Sequence, residues 1–255
     1  MKTMLKNYNS AQTSDQINFL TNDKKDCNDS VEKTLRGISR TTYGNVFMIN
    51  YLENRFDFIP VLPAYISNLT TADISKIGLD FLKQISTSED QKILQAVRSI
   101  MFKFYQNLSF NDRLTHTLNF DFHTVNKENK LILLNCKITP VQLTDSGSIW
   151  RAVCNLTLSL NKSSGNIQIS SAESENIFLY DLKQNRWKKS QKKTLTPKEL
   201  DVFRYYLQGL SIQEIADIVF LSVDTVKWHR RKLLEKLNVA DLNEALAYAV
   251  TNNLI

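Results

Sequence analysis

Downstream of Ser222 the chain sets out side chains suited to reading a nucleic acid. Ser222 is an N-cap residue, and the helix it opens is expected to run to about Leu237. Along that helix Val226, His229, Leu233 and Leu237 share one side, while Asp224, Lys227, Trp228, Arg231 and Glu235 share the other. The first side is a core stripe. The second carries an ammonium, an indole and a guanidinium close to the helix start. A DNA major groove admits one α-helix, whose N-terminal side chains reach base edges, and arginine pairs bidentately with guanine. The expected contacts to double-stranded DNA are Ser211, Ser222, Asp224, Thr225, Lys227, Trp228, Arg230 and Arg231. Asp224 would repel phosphate and so favour one docking register.

The elements ahead of this helix suit it to that task. Thr196 is an N-cap, Pro197 occupies the first helical position and Glu199 stands at the third, which makes a capping box. The helix they open runs to Gln208 with Leu200, Phe203 and Leu207 inward, and Gly209 stops it. Ser211 caps a short second helix with Glu214 at its third position and Ile215, Ala216 and Val219 inward. Phe220 and Leu221 turn the chain into Ser222, and small Ala216 lets the two helices approach closely. Two short helices joined by a tight turn make a helix-turn-helix. A last helix is expected from about Asn243 to Asn253, with exposed positions around Tyr248 and Asn252 serving a homodimer on a two-fold DNA site.

Residues 194–255 resemble the LuxR-type DNA-binding module from end to end. The likeness is carried by Leu195 to Glu199, Gly209 to Ser211, Glu214 to Ala216, Ser222, Thr225 to His229, Lys236 to Val239 and the closing Leu254-Ile255. The resemblance implies major-groove binding, pairing of two copies through the last helix, and transcriptional regulation, with RNA polymerase as a further partner. In two places the chain departs from that pattern. Gln213 stands where a basic residue is common, which removes a phosphate contact, and Asn243 stands where arginine is common.

Upstream the chain reads as α+β. Residues 1–30 are polar and expected to be a mobile arm. Val31, Leu35 and Ile38 suggest an amphipathic helix, and Val46 to Tyr51 with Phe56 to Ile59 a β-hairpin. Leu79, Leu82 and Ile85 make a short helical face; Ser88 is expected to cap a longer helix with Ile93, Val97, Ile100, Met101, Phe104 and Tyr105 inward. Strands follow at Thr117 to Asn126, Leu131 to Val141 and Ser148 to Leu160, then an apolar piece at Ile167 to Leu182. In the first strand Leu118, Phe120 and Phe122 face one way and Asn119, Asp121 and His123 the other, the pattern of a half-buried antiparallel strand. A hairpin, helices and then three long antiparallel strands, with Phe81 to Ile85 and Ser88 to Asp90 between, resemble a PAS domain. Residues 31–181 are therefore expected to be a PAS-like sensor or dimerisation domain. Its candidate ligand pocket is lined by Phe47, Phe56, Phe81, Phe102, Phe120 and Trp150, a set that core packing also explains.

Charge marks the join. Between residues 182 and 193 the chain carries Lys183, Arg186, Lys188, Lys189, Lys192 and Lys193 with no acid, which accounts for the whole net charge of +6. This segment reads as a basic linker, a solvated tether or a phosphate contact. Cys27, Cys136 and Cys154 are too few and too widely spaced for a disulfide framework or a zinc site, and read as reduced thiols. No apolar run approaches the ~20 residues that span a bilayer, and the start lacks the apolar core of a signal peptide. A cytoplasmic protein is expected.

Other chemistries lack their residues. No Gly-rich phosphate loop, paired metal ligands or nucleophile motif points to an enzyme. His229 has no catalytic partners, and His116 and His123 are poorly placed for haem. Cys136 follows Asn135 as a flavin-adduct cysteine does, but lies inside a strand. No aspartate sits as a phosphoacceptor does, and the Trp and Tyr pattern of homoserine-lactone receptors is not evident. A cofactor is not expected. Two readings of the first domain stay open: a sensor of a small molecule, or an interaction module that senses nothing.

Overall fold

The computed structural model describes residues 30–63, 66, 69–126, 128–252 and 254. Cys27 and most of the arm expected at residues 1–30 lie outside them. Helix α1 spans residues 30–41. Strands β1 (Asn45–Asn50) and β2 (Arg55–Phe58) form the expected hairpin. Then come α2 (Thr71–Ile77), a 3-10 turn, α3 (Phe81–Ile85), α4 (Gln91–Gln106) and α5 (Asp112–Thr115). The long strands are β3 (His116–Val125), β4 (Leu131–Leu143) and β5 (Ile149–Leu158), followed by β6 (Gly165–Ser171), β7 (Asn176–Asp181) and β8 (Arg186–Gln191). Helices α6 (Pro197–Leu207), α7 (Ile212–Ile218), α8 (Val223–Leu237) and α9 (Leu242–Thr251) complete the chain. No helix among the described residues is long and apolar enough to cross a membrane.

All eight strands join one antiparallel sheet in the order β2-β1-β5-β4-β3-β6-β7-β8. Its inner face carries the aromatic and aliphatic core: Phe47, Phe120, Phe122, Leu134, Leu156 and Ile169 are all but sealed from water. Helices α3 and α4 close this face, with Phe81, Val97, Met101 and Tyr105 buried against it. The Tyr105 hydroxyl donates to the His116 carbonyl at 2.6 Å, so this aromatic reaches the core with its polar end satisfied. The PAS-like α+β reading holds for the hairpin, the helices and the three strands that follow. Cys136 and Cys154 are buried free thiols with sulfurs 3.5 Å apart. Burial pushes the Cys136 thiol well up, which keeps it protonated.

Four expectations need correction. The apolar piece Ile167 to Leu182 is two strands, and half of the supposed linker is β8, paired with β7 from Asn176↔Gln191 to Asp181↔Arg186. Its basic residues find protein partners. Lys188 pairs with Asp181 at 2.7 Å, and Lys192 donates to the Ser171 carbonyl. Trp187 sits against Phe104 and Tyr180, an aromatic anchor inside the basic run. Second, Ser88 is not a cap: α4 starts after Asp90, whose carboxylate instead accepts from the His123 backbone N–H at 2.6 Å. Third, Trp150 lies outside the core and stacks under the Arg151 guanidinium, because the β4–β5 register shifts around Pro140 to Leu143 and turns Trp150 away.

The fourth correction concerns the sheet's outer face. Alternation in β3 suggested a solvated polar face, yet Asn119 and Asp121 are buried. Near the β1 edge α1 covers the outer face through Leu35 against Val46, Met48 and Phe58. Farther along, the β5–β6 loop folds over it. Asp121 accepts from Asn135 at 2.8 Å, Asn161 at 2.7 Å and Asn166 at 2.8 Å, so its carboxylate is compensated by three amides.

Candidate nucleic-acid interface

The four C-terminal helices form around two small cores. Phe203 of α6 meets Leu233 and Leu237 of α8 and Ala245 and Ala249 of α9. Val202 of α6 meets Ile215 and Ala216 of α7 and Val226 of α8. Leu207, expected inward, is exposed, and Val202 takes its place because the α6 stripe rotates toward α7. Both predicted capping boxes are present, Thr196 with Glu199 and Ser211 with Glu214. The turn between α7 and α8 is closed by the Leu221 N–H donating to the Ala216 carbonyl at 3.0 Å.

Helix α8 is fixed at both ends. Ser222 accepts from the Thr225 N–H at 3.1 Å, and their hydroxyls lie 2.8 Å apart. At the other end Asn238 adopts the left-handed conformation (φ 54°) that ends helices, a geometry asparagine tolerates. Lys193 donates to the Leu237 carbonyl at 2.5 Å, placing a cation at the negative end of the helix. Lys236 reaches back to Glu199 at 3.0 Å, tying α8 to the start of α6. Burial raises the Glu199 carboxyl, but the Thr196 N–H and the Lys236 ammonium outweigh it and hold it below its ordinary value.

With its apolar side seated, α8 turns its other side to water. Arg231 is 67% exposed, Lys227 57% and Trp228 46%. Each cation has only a loose tether: Lys227 lies 3.4 Å from Asp224, and Arg231 lies 3.8 Å from Glu235. Ion pairs this exposed contribute little and are readily exchanged for a phosphate or a base. The predicted set thus divides. Lys227, Trp228 and Arg231 stand together on the free face, with Asp224 beside them. Ser211 and Ser222 cap their helices, and Thr225, in the first turn of α8, donates its N–H to the Ser222 cap. Arg230 belongs to neither group: its guanidinium stacks on Tyr206 at 4.9 Å and donates to the Tyr206 hydroxyl at 2.9 Å, pinning α8 to α6. Tyr206 carried no signal in the sequence beyond its place on α6. His229 is half-buried, as expected, and Gln213 is bonded to Asp217 at 3.1 Å.

The last helix departs from expectation. Tyr248 lies half-buried under the Lys193 ammonium, 5.4 Å from its ring centre, and Asn252 is buried, bonded to Gln168 of β6 at 3.3 Å. Neither is the exposed contact foreseen for a second copy, because α9 lies against the sheet.

In the first domain, a cavity of about 220 Å³ opens between the inner sheet face and α3–α4. Phe56 and Phe120 line it, joined by Tyr51, Lys83 and Arg98. Phe47 and Phe81 stand behind Phe56, and Phe102 packs edge-on against Tyr51 at 5.2 Å. Burial, with a lesser push from Cys154, drives the Tyr51 hydroxyl far above its ordinary range, so it remains a neutral donor and acceptor.

Residues 193–249 match the model of the bacterial regulatory proteins of the luxR family. The uncharacterized transcriptional regulatory protein YhcZ of Bacillus subtilis is 37% identical over 90 residues, covering 35% of this chain and 42% of that protein. The response regulator protein VraR of Staphylococcus epidermidis is 35% identical over 88 residues, 32% of this chain and 42% of that protein. The chain thus spans about two fifths of the length of the curated relatives it matches. Among solved structures, the Vibrio cholerae VqmA dimer aligns with 83% of either chain at 14% identity and a TM-score of 0.31. The N-terminal domain of a diguanylate cyclase with PAS/PAC sensor from Marinobacter aquaeolei aligns with 45% of this chain and 94% of that one, at 11% identity and a TM-score of 0.36. The capped α7–turn–α8 unit, its two small cores and the family match agree: the C-terminal helices of this chain are a LuxR-type helix-turn-helix domain.

Proposed function

We propose that this chain is a sequence-specific transcriptional regulator that reads the DNA major groove with α8. The observation that carries the reading is the free face of α8, where Lys227, Trp228 and Arg231 are exposed together on a helix fixed at both ends. Arg231 is the base reader and Lys227 the phosphate or base contact, with the Trp228 ring against the groove wall. Ser211 and Ser222 place the N–H groups of two helix starts toward the backbone, where anions are favoured. Arg230 serves the site indirectly by holding α8 on α6. The protein acts in the cytoplasm, as a homodimer on a two-fold site, with RNA polymerase as a further partner and no catalytic step of its own.

The first domain, over residues 31–181 with β8 added to it, is the sensing part. Its cavity suits a small molecule with an apolar body against Phe56 and Phe120 and an acceptor or anionic group toward Arg98 and Lys83. The relatives named as transcriptional regulatory and response-regulator proteins favour the DNA-binding reading for the C-terminal helices. The experiment is selection of duplexes from random DNA with the full chain, followed by titration of the selected duplex and a scrambled one. Preference for the selected duplex by at least ~10³-fold is the expected result; equal affinity for both overturns specificity. Native mass spectrometry of the purified chain separates a sensor, which retains a small molecule, from an interaction module, which does not.

A further inference from the structure

The last helix of the DNA-binding domain lies on a polar part of the sheet, and the contact is sparse. Cross-strand register sets Asn119 beside Lys137 on one side and Gln168 on the other. From these strands Lys137 donates to the Val250 carbonyl at 3.3 Å and Gln168 to the Asn252 side chain at 3.3 Å. Lys162, on the β5–β6 loop, pairs with Glu244 at 2.5 Å and Asp241 at 3.6 Å at the start of α9. Ala247 is buried at 3% exposure and faces Asn135 and Asn155 across a cleft of about 130 Å³. A larger cleft of about 490 Å³ runs beside it, between Lys162 and Gln168 on one wall and Glu244 and Asn252 on the other. Asn119 is 3% exposed, and neither its side-chain oxygen nor its nitrogen has a partner among the described residues.

These features mark an interface that opens easily. A buried amide without partners raises the energy of the docked form and regains water on release. An exposed ion pair adds little to hold it shut. Nothing in the two cores of the helical domain depends on the sheet, since Phe203, Val202 and Leu233 are buried by its own helices. The loop that carries Lys162 is, by contrast, tied down. Asn161 and Asn166 bond Asp121, and Ser164 donates to Asp90 at 2.8 Å. Asp90 stands at the foot of α4, and the next turns of α4 supply Leu94, Val97 and Arg98 to the cavity wall.

We propose that α9 docked on the polar sheet face is a releasable latch that sets the orientation of the DNA-binding domain, and that the β5–β6 loop joins this latch to α4 at the cavity. The proposal rests on the DNA-binding reading above. Since Lys227, Trp228 and Arg231 stay exposed while α9 is docked, the latch does not mask the reader; it decides where the reader points. In a two-fold complex the half-sites lie about 10 bp, or a multiple of that, apart. A latched domain accepts one such spacing, whereas a released one swings to meet several.

The test uses the full chain with three variants: Lys162→Glu on the loop, Ala247→Arg on α9, and Lys162→Arg as the conservative control. Small-angle scattering reads opening directly. Titrations use one half-site selected from random DNA, and pairs of it spaced by about 10 and about 15 bp. Lys162→Glu and Ala247→Arg are expected to enlarge the radius of gyration and leave single half-site affinity within about 2-fold. The wild-type spacing preference, expected at about 10-fold or more, falls in them below about 3-fold, and Lys162→Arg behaves as wild type. A compact chain in both variants, or an unchanged spacing preference in opened chains, overturns the latch. Tighter single half-site binding on opening overturns the orientation role in favour of masking. Absence of DNA binding in every chain, opened or not, overturns the DNA reading itself, and scattering reports that failure separately from failure to open.

Discussion

Arg230 and Arg231 are sequence neighbours with separate tasks, and the difference follows from one step of about 100° around α8. Arg231 reaches water, so Arg231→Ala is expected to cost about 1–3 kcal/mol on the selected duplex and to relax preference at a single base pair, leaving melting unchanged. Lys227→Ala weakens binding to all sequences and lowers the salt slope by about one if the ammonium sits on phosphate. Arg230 faces Tyr206, and Arg230→Ala is expected to lower stability by about 0.5–2 kcal/mol through the lost stacking and hydrogen bond, with base preference retained. Titration and thermal melting of the three variants together separate these roles. Phe220 invites a different substitution. It is 93% exposed and held at φ 55°, a region that costs a bulky residue about 1–2 kcal/mol. Phe220→Gly is expected to raise the melting midpoint by a few degrees, and a lower midpoint would show that the ring makes a contact worth more than the strain.

Among elements, the caps of α6, α7 and α8 were legible because each is local: an N-cap and its third residue are fixed by backbone geometry alone. The α6 stripe was legible only in part, since Val202 and not Leu207 turns inward. Leu233→Ala is expected to cost about 2–5 kcal/mol, since the side chain is fully buried between α6 and α9. The Glu199 box also predicts an acid response. Its folded value is depressed below the ordinary 4.5, so its stabilisation is present above about that pH and is lost as pH falls through the folded value. Melting between pH 7 and pH 3 should show wild type losing more stability than Glu199→Gln, whose amide keeps the cap without the charge; equal losses would assign the acid response elsewhere. Less local features were hidden. Strand β8 carries Lys and Arg on an edge, where charges guard a strand and composition looks like linker. Trp150 was misassigned because a register shift in β4–β5 breaks the period of two. Asn119 and Asp121 looked solvated, since alternation reports the polarity of a face and not what another part of the chain lays over it.

At the scale of the whole molecule, bonded contacts run from the foot of α4 through Asp90 and Ser164 to the β5–β6 loop, and from Lys162 of that loop to α9. Coupling of this kind requires two arrangements that a ligand distinguishes; the docked α9 is one, and its release is the second that the latch proposal requires. Two chains per selected duplex at saturation, read by analytical ultracentrifugation, are expected; one chain per duplex would remove the homodimer. With Tyr248 under Lys193 and Asn252 bonded to Gln168, a second-copy contact through these two residues would require α9 to leave the sheet. All of this depends on α8 being the reader. The most direct test is a titration of wild type, Arg231→Ala and Lys227→Ala against the selected and scrambled duplexes, with melting in parallel. The account predicts intact melting, a loss of about 5- to 150-fold for Arg231→Ala, equivalent to about 1–3 kcal/mol, on the selected duplex, and a weaker general loss for Lys227→Ala. Wild-type affinity for the selected duplex in both variants would contradict it.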